Sequence, residues 1–300
     1  MKESALAAEE HSGGIAEHLQ YWTYSFQQDI PVDERNPFMQ IHVDTMLVTG
    51  FVACLILGFA FWFKSRIQAG VPTGVQNAVE ALVGFVNDTV RDNFPVHNPI
   101  IAPLALTVFV FIFLCNFFDI LPAYFLGHVA HALGAPAFRP VPTNDLNLPV
   151  AMALTVFAMV IYYELKLKPV HFMKDLLLQP FANLLLMSKN PVVKLLGVLL
   201  IPLNLVLKLI EEIAKPLSLS FRLFGNMFAG EVIFLLIASL LLVDNFADMA
   251  SVGGAISEIM GLLVGLGWSF FHMFIGLLQA FIFMILTVVY LSIAHQPAEH

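Results

Sequence analysis

Two apolar tracts, about residues 195–243 and 255–294, constrain this chain more than any other feature. A helix continuous over 199–243 would run about 67 Å at about 1.5 Å per residue, more than twice the ~30 Å of bilayer hydrocarbon. The second tract, at about 60 Å, has the same excess. Neither can stand upright in a membrane. Each must break, with Pro202 and Pro216 as candidate kinks in the first, or lie steeply tilted and partly shielded from lipid by other protein. Joined by an acidic turn (Asp244, Asp248, Glu258), the tracts predict an antiparallel hairpin of two long helices packed along the flank of something large.

Shorter apolar runs at about 43–63, 100–122 and 147–163 each approach the ~20 residues that a spanning helix needs. The runs are continuous and do not alternate, which excludes a β-barrel. With 59% hydrophobic residues, only 12% charged ones and a mean hydropathy of +0.82, the composition agrees with an all-α membrane protein of about five membrane-crossing segments. Residues 72–94 set Val75, Val79, Leu82, Val83 and Val86 on one helical face and Gln76, Glu80, Asn87 and Arg91 elsewhere, which predicts an amphipathic helix on the membrane surface. Ahead of the first run lies a polar arm over 1–42 with seven of the 22 acids, an eighth, Asp44, following just after it, and 43–300 reads as a single integral-membrane domain. Met1–Gln20 lacks the basic start and short apolar core of a cleavable signal, so the N-terminus is expected to be retained. The 14 Lys and Arg form no basic tract, which excludes nucleic acid as a partner. Cys54 and Cys115 fall inside apolar runs and read as small hydrophobes.

Basic residues beside the spans set an expected orientation. Lys64, Arg66, Arg91, Lys166, Lys168, Lys174, Lys189 and Lys194 share one side, against Lys2, Arg35 and Arg139 on the other. The positive-inside rule puts the N-terminus outside and the C-terminus inside.

The first long tract carries its polar residues in one line. Lys208, Glu211, Lys215, Ser218, Arg222 and Asn226 follow at intervals of 3, 4, 3, 4 and 4, a single stripe on an apolar cylinder. Its lower part, Lys208 to Lys215, fits equally a solvated helix end near the headgroups. Arg222 does not. A guanidinium at membrane depth costs from ~3 to above ~10 kcal/mol and cannot escape by losing its proton, so it needs a role and a countercharge. No acid lies three or four residues away, and Glu231, nine residues on, is about 180° round the helix. The partner carboxylate is expected from another subunit. On the second tract His272 and Gln279, seven apart, share a face.

The segments KPLSLSFRLFGNMFAGEVIF (215–234) and WSFFHMFIGLLQAFIFMILTVVYLS (268–292) resemble the a subunit of bacterial F-type ATP synthase, and CNFFDILP (115–122) and PTNDLNL (142–148) extend the resemblance. Its most specific element is the Arg-Leu-Phe-Gly-Asn block at 222–226 followed by Glu231, then His272 and Gln279. The resemblance implies a non-catalytic stator subunit without cofactor in the bacterial inner membrane. Two offset proton half-channels would lead to a ring of c subunits, with a b-subunit peripheral stalk, the remaining synthase subunits and membrane lipid as further partners. It implies that Arg222 faces the ring carboxylates with Asn226 beside it, that Glu231 and His272 line the outer half-channel, and that Gln279 lies beside the arginine. Asn116, Asp119, Asp145 and Asn147 fall where the family places polar residues near the outer mouth, although hydrogen bonding at helix ends explains them equally. Glu211 and Ser218 are further possible channel-lining residues. Lys208 stands where some relatives carry an acid, and longer segments around 187–201 and 242–260 depart from the shorter family members.

Other classes leave weaker signatures. An ion-coupled transporter or cation channel would share intramembrane ionisable residues, but the chain shows no duplication between halves. One HxxH pair, His128 and His131, is too little for a metalloenzyme. No GxxxxGK[ST] loop is present, so nucleotide chemistry would belong to other chains.

Overall fold

The computed structural model describes residues 22–25, 40–96, 98–118, 141–178, 190–241 and 252–296. Asp119, His128 and His131 and most of the acidic arm lie outside the described residues. Within them the protein is all-α apart from one short strand pair, β1 (Thr23–Ser25) and β2 (Gln40–His42), which run antiparallel with Thr23 opposite His42. Eight helices follow: α1 (Val43–Lys64), α2 (Val75–Asn93), α3 (Ile101–Phe117), α4 (Asn147–Leu167), α5 (Pro169–Leu178), α6 (Pro191–Leu199), α7 (Ile201–Leu241) and α8 (Val252–His295).

Four of them, α1, α4, α7 and α8, are long and apolar enough to cross a membrane, and α3 is a shorter apolar helix. This is the all-α membrane architecture expected from the apolar runs. Lipid replaces water around such helices, so their outward faces are as apolar as their cores: Phe51, Leu55, Leu57 and Phe61 of α1 are all exposed. α2 is amphipathic as expected. Gly74, at φ 58°, turns the chain into it in a conformation that few side chains tolerate, and Val86 and Val90 are its buried face.

The expected 195–243 helix is interrupted at Leu200, where α6 gives way to α7. Pro202 therefore sits in the first turn of α7, where its missing N–H has no intrahelical acceptor to lose, and starts a helix rather than kinking one. Pro216 lies inside α7 without ending it. The 41 residues of α7 and 44 of α8 still give lengths of about 60 Å or more, so both must incline in a bilayer. The β1–β2 pair and α5 were not foreseen in the sequence.

The chain forms two compact units. One comprises 1–72, 109–148 and 224–281, the other 73–108, 149–223 and 282–300. The first has a core of Val48, Val52 and Cys115 packed by Ile56, Phe111, Leu114, Phe118 and Leu148. In it α7 and α8 run antiparallel: Asn226 meets Gln279, and four residues further up α7 Gly230 meets Trp268. In the second, Ala153, Val156 and Val160 of α4 face Lys215, Pro216 and Leu219 of α7 and Tyr290 of α8 around a small apolar cavity. His295 closes this second unit, its ring tilted against Tyr163 at 4.4 Å and bonded through Nε2 to the Asn98 amide at 3.1 Å.

Candidate functional site

The helical period of α7 sorts its side chains into lines. Leu219, Leu223 and Met227 are buried, at most 2% exposed, while Ser218, Arg222 and Asn226 are exposed. Each of these exposed residues is four after the last, so they drift only about 40° per step and keep one face. Arg222 forms no ion pair among the described residues.

Below the exposed line the stripe is ion-paired. Lys208 Nζ lies 3.0 Å from Glu211 and 3.5 Å from Glu212, and Lys215 Nζ lies 2.6 Å from Glu212. Glu211, the sequence candidate, is 58% exposed, whereas Glu212 is 8% exposed and shared by both lysines. Glu164 of α4 is within Coulombic reach of Glu212, Lys215, Lys168 and Lys208. Glu212 and Glu164 were missed in the sequence. Glu212 is four from Lys208 and three from Lys215, so spacing alone cannot choose between the neighbouring acids; burial does.

In the first unit, α7 and α8 exchange polar contacts. Asn226 Nδ2 donates to Gln279 Oε1 at 2.9 Å, and Gln279 is 3% exposed. The Asn116 amide of α3 donates to the Gly276 carbonyl at 3.0 Å, giving that buried asparagine a partner on α8. One turn above Asn226, Gly230 allows a close approach of α8 to α7. A Cβ built there would fall inside the His272 imidazole. Trp268 Nε1 donates to the Gly230 carbonyl at 3.0 Å, and its indole stacks over His272. His272 is thus held against the residue immediately before Glu231.

Glu231 is engaged from another direction. Asn144 Nδ2, from the 3-10 turn Pro142–Asn144, donates to Glu231 Oε2 at 2.7 Å. The next residue, Asp145, accepts at Oδ1 from the backbone and side-chain amides of Asn147, at 3.1 and 2.9 Å, and pairs through Oδ2 with His42 Nδ1 at 2.7 Å. Asn144 and Asp145 are 1% and 3% exposed. The structure therefore brings Asp145, Asn147, Glu231 and His272 to one unit. It also adds Asn144 and His42, which the sequence reading passed over. Asn144 stood inside the quoted PTNDLNL segment, where only its polar neighbours drew notice. His42 had no signal beyond adjacency to the first apolar run. Among the described residues no group of three or more His, Cys, Asp or Glu could hold a metal.

A family profile described as ATP synthase A chain matches residues 46–292, from the first turn of α1 to near the end of α8, and takes in every site residue named above except His42. ATP synthase subunit a of Vibrio parahaemolyticus serotype O3:K6 is 41% identical over 291 residues, 96% of each chain. The subunit a of Vibrio alginolyticus is also 41% identical over the same span, and that of Vibrio cholerae serotype O1 is 40% identical over 271 residues, 90% of each chain. The chain belongs to the ATP synthase A chain family. That membership agrees with the resemblance read from 215–234 and 268–292, and with a membrane-sector protein made of apolar helices. For an A-chain protein the Gly230–His272 contact and the Asn226–Gln279 bond fall in the two segments that carried the resemblance.

Proposed function

We propose that this chain is the ion-translocating stator subunit of a bacterial F-type ATP synthase, non-catalytic itself, which supplies two offset proton half-channels to a ring of c subunits. Arg222 faces the ring carboxylates, with Asn226 and Gln279 beside it. Glu231 and His272 serve the outer half-channel with Asp145 and Asn147, and the inner half-channel opens near Ser218 and the Glu211–Glu212 turn. A b-subunit stalk and the other synthase subunits hold the chain, and it sits in the inner membrane with its N-terminus outside.

One observation carries this reading: Arg222 is an exposed, permanently charged group on a long apolar helix, with no ion pair among the described residues. A charge at membrane depth calls for a countercharge or a water-filled cavity, and a carboxylate brought by the ring supplies the first. A ring carboxyl arriving protonated beside that guanidinium is driven toward its ionised form and releases its proton to the inner half-channel. Arg222 neither accepts nor gives up a proton, so it separates the two half-channels without relaying between them. Each proton falling through 100 mV supplies about 2.3 kcal/mol, so several are combined per ATP.

The test is ATP-driven proton pumping in inverted vesicles. Arg222→Ala and Arg222→Gln are expected to abolish pumping while the complex still assembles. Arg222→Lys should also fail, since it keeps the charge but loses the planar fork. Full coupled activity in the alanine variant would overturn the assignment.

A further inference from the structure

The polar connection to Glu231 continues outward beyond the segment matched by the family profile. Two consecutive buried residues of one turn point to different partners: Asn144 to Glu231 at 2.7 Å, and Asp145 to His42 at 2.7 Å. His42 is the partly exposed end of this connection, at 22% against 3% for Asp145. It is also held in place. β2 ends on His42, whose strand pairs with β1, Val43 N–H donates to the Trp22 carbonyl at 2.8 Å, and the buried Asp44 carboxylate accepts from Trp22 N–H at 3.2 Å. Asp145 is fixed independently by its two bonds from Asn147. A water-accessible imidazole is thus set against a buried carboxylate, one residue away from the amide that grips Glu231.

We propose that His42 and Asp145 form a proton-collecting pair at the outer mouth of the path that ends at Glu231, an inference that rests on the half-channel reading above. Imidazole is the side chain that ordinarily exchanges protons between about pH 5 and 8. A proton taken up at Nε2 leaves the ring from Nδ1 along the 2.7 Å hydrogen bond to Asp145 Oδ2, so the ring ends neutral and the carboxyl protonated. Asp145 passes the proton inward to Glu231 through water and returns to its carboxylate, and His42 regains its starting tautomer by exchange with solvent. Asn144 moves no proton; it is a positioning residue that presents the Glu231 carboxylate. Among the described residues the charged groups around His42 are Asp145 from the 142–145 turn, Asp44 in the first turn of α1, and Glu231 beyond Asn144. All are acids, which favours cation entry. Supply of protons from outside water limits turnover only when they are scarce, so the pair should matter at high outer pH and little at low.

The experiment uses the whole synthase in liposomes, with the outer face of this chain toward the lumen and ATP synthesis driven by a fixed potassium-diffusion potential. Lumenal pH is varied from about 5.5 to about 8.5, across the imidazole range. His42→Gln keeps a hydrogen-bond donor to Asp145 but cannot titrate. It is expected to stay within about twofold of wild type at the acid end and to fall at least about fivefold at the alkaline end. Asp145→Asn, which still accepts from Asn147, should show the same alkaline deficit and serves if His42→Gln fails to assemble. If the variants follow the wild-type pH profile, or are slowed equally at every pH, the pair is a structural staple and the proposal is overturned. Glu231→Gln separates the two levels: unimpaired synthesis in that variant removes the path itself, a result distinct from failure of the pair alone.

Discussion

At the residue scale, Gly230 shows how a missing side chain organises a membrane protein's polar site. The close approach of α7 and α8 exists because no Cβ stands between the Gly230 backbone and the His272 ring, and Trp268 seals it with a bond to the Gly230 carbonyl. Small residues at helix crossings do the same generally, since association in lipid depends on packing and hydrogen bonds rather than on expelling water. Gly230→Ala must displace the imidazole, and overpacking of this kind costs about 1–3 kcal/mol. The α8 glycine Gly267 has open space around its would-be Cβ, so Gly267→Ala should be neutral or stabilise by up to about 1 kcal/mol through helix propensity. Thermal unfolding of the two purified variants, followed by tryptophan fluorescence, checks the opposite signs; equal shifts would show that the contact is not tight. Nothing in the sequence marks Gly230 apart from Gly267. The distinction depends on which residue of the other helix arrives opposite, and periodicity within one helix carries no register between two.

At the scale of the element, α7 was the most legible part of the chain, because a 3.6-residue period converts directly into faces. The exposed line Ser218, Arg222, Asn226 and the buried line Leu219, Leu223, Met227 are one residue apart in sequence and about 100° apart in space. Cysteines at 218, 222 and 226 are therefore expected to crosslink to a helix of the proposed c ring, and a cysteine at 231, on the far side of α7 where Glu231 accepts from Asn144, is not. Crosslinking with similar yield from both faces would refute the single-face contact. The elements that escaped the sequence reading lack such a period. Three-residue strands cannot display alternation, and β1 and β2 are secured by Trp22 and Asp44 rather than by an apolar face of their own. α5 has ten residues, starts at a proline one residue after α4 and carries His171, Lys174 and Asp175 among its apolar residues, so it is too short and mixed to stand out as an apolar run. Pro202 misled in the opposite sense: proline signals a kink within a helix and a beginning at its first turn, and only the break at Leu200 decides which applies.

At the scale of the molecule, the number of crossings fixes where each end of the chain must emerge. α1, α4, α7 and α8 are long enough to span, and α3, an apolar helix of 17 residues, spans if it stands nearly upright, since 17 residues rise about 25 Å. Five crossings, an odd number, lead us to expect the start of α1 and the end of α8 on opposite sides. The chain's burial pattern agrees with lipid on several flanks: 11% of the most apolar stretch of α1 is buried, against 44% for α8, the helix that shares most with its neighbours. Direction then follows from charge. Lys64 and Arg66 close α1, with Arg66 over the Trp62 ring at 5.1 Å, and Lys166 and Lys168 close α4, an accumulation that the positive-inside rule leads us to expect on the cytoplasmic side. The exposed positions Ala69, after α1, and Gln296, after α8, should therefore share the inner side. In a background with Cys54 and Cys115 replaced, Ala69→Cys and Gln296→Cys are expected to react with a membrane-impermeant maleimide in inverted vesicles and to be protected in intact cells. Were α3 not to cross, the chain would cross four times, and Ala69 and Gln296 would label from opposite sides; labelling of both from outside would instead reverse the orientation and place His42 and Asp145 at the inner surface.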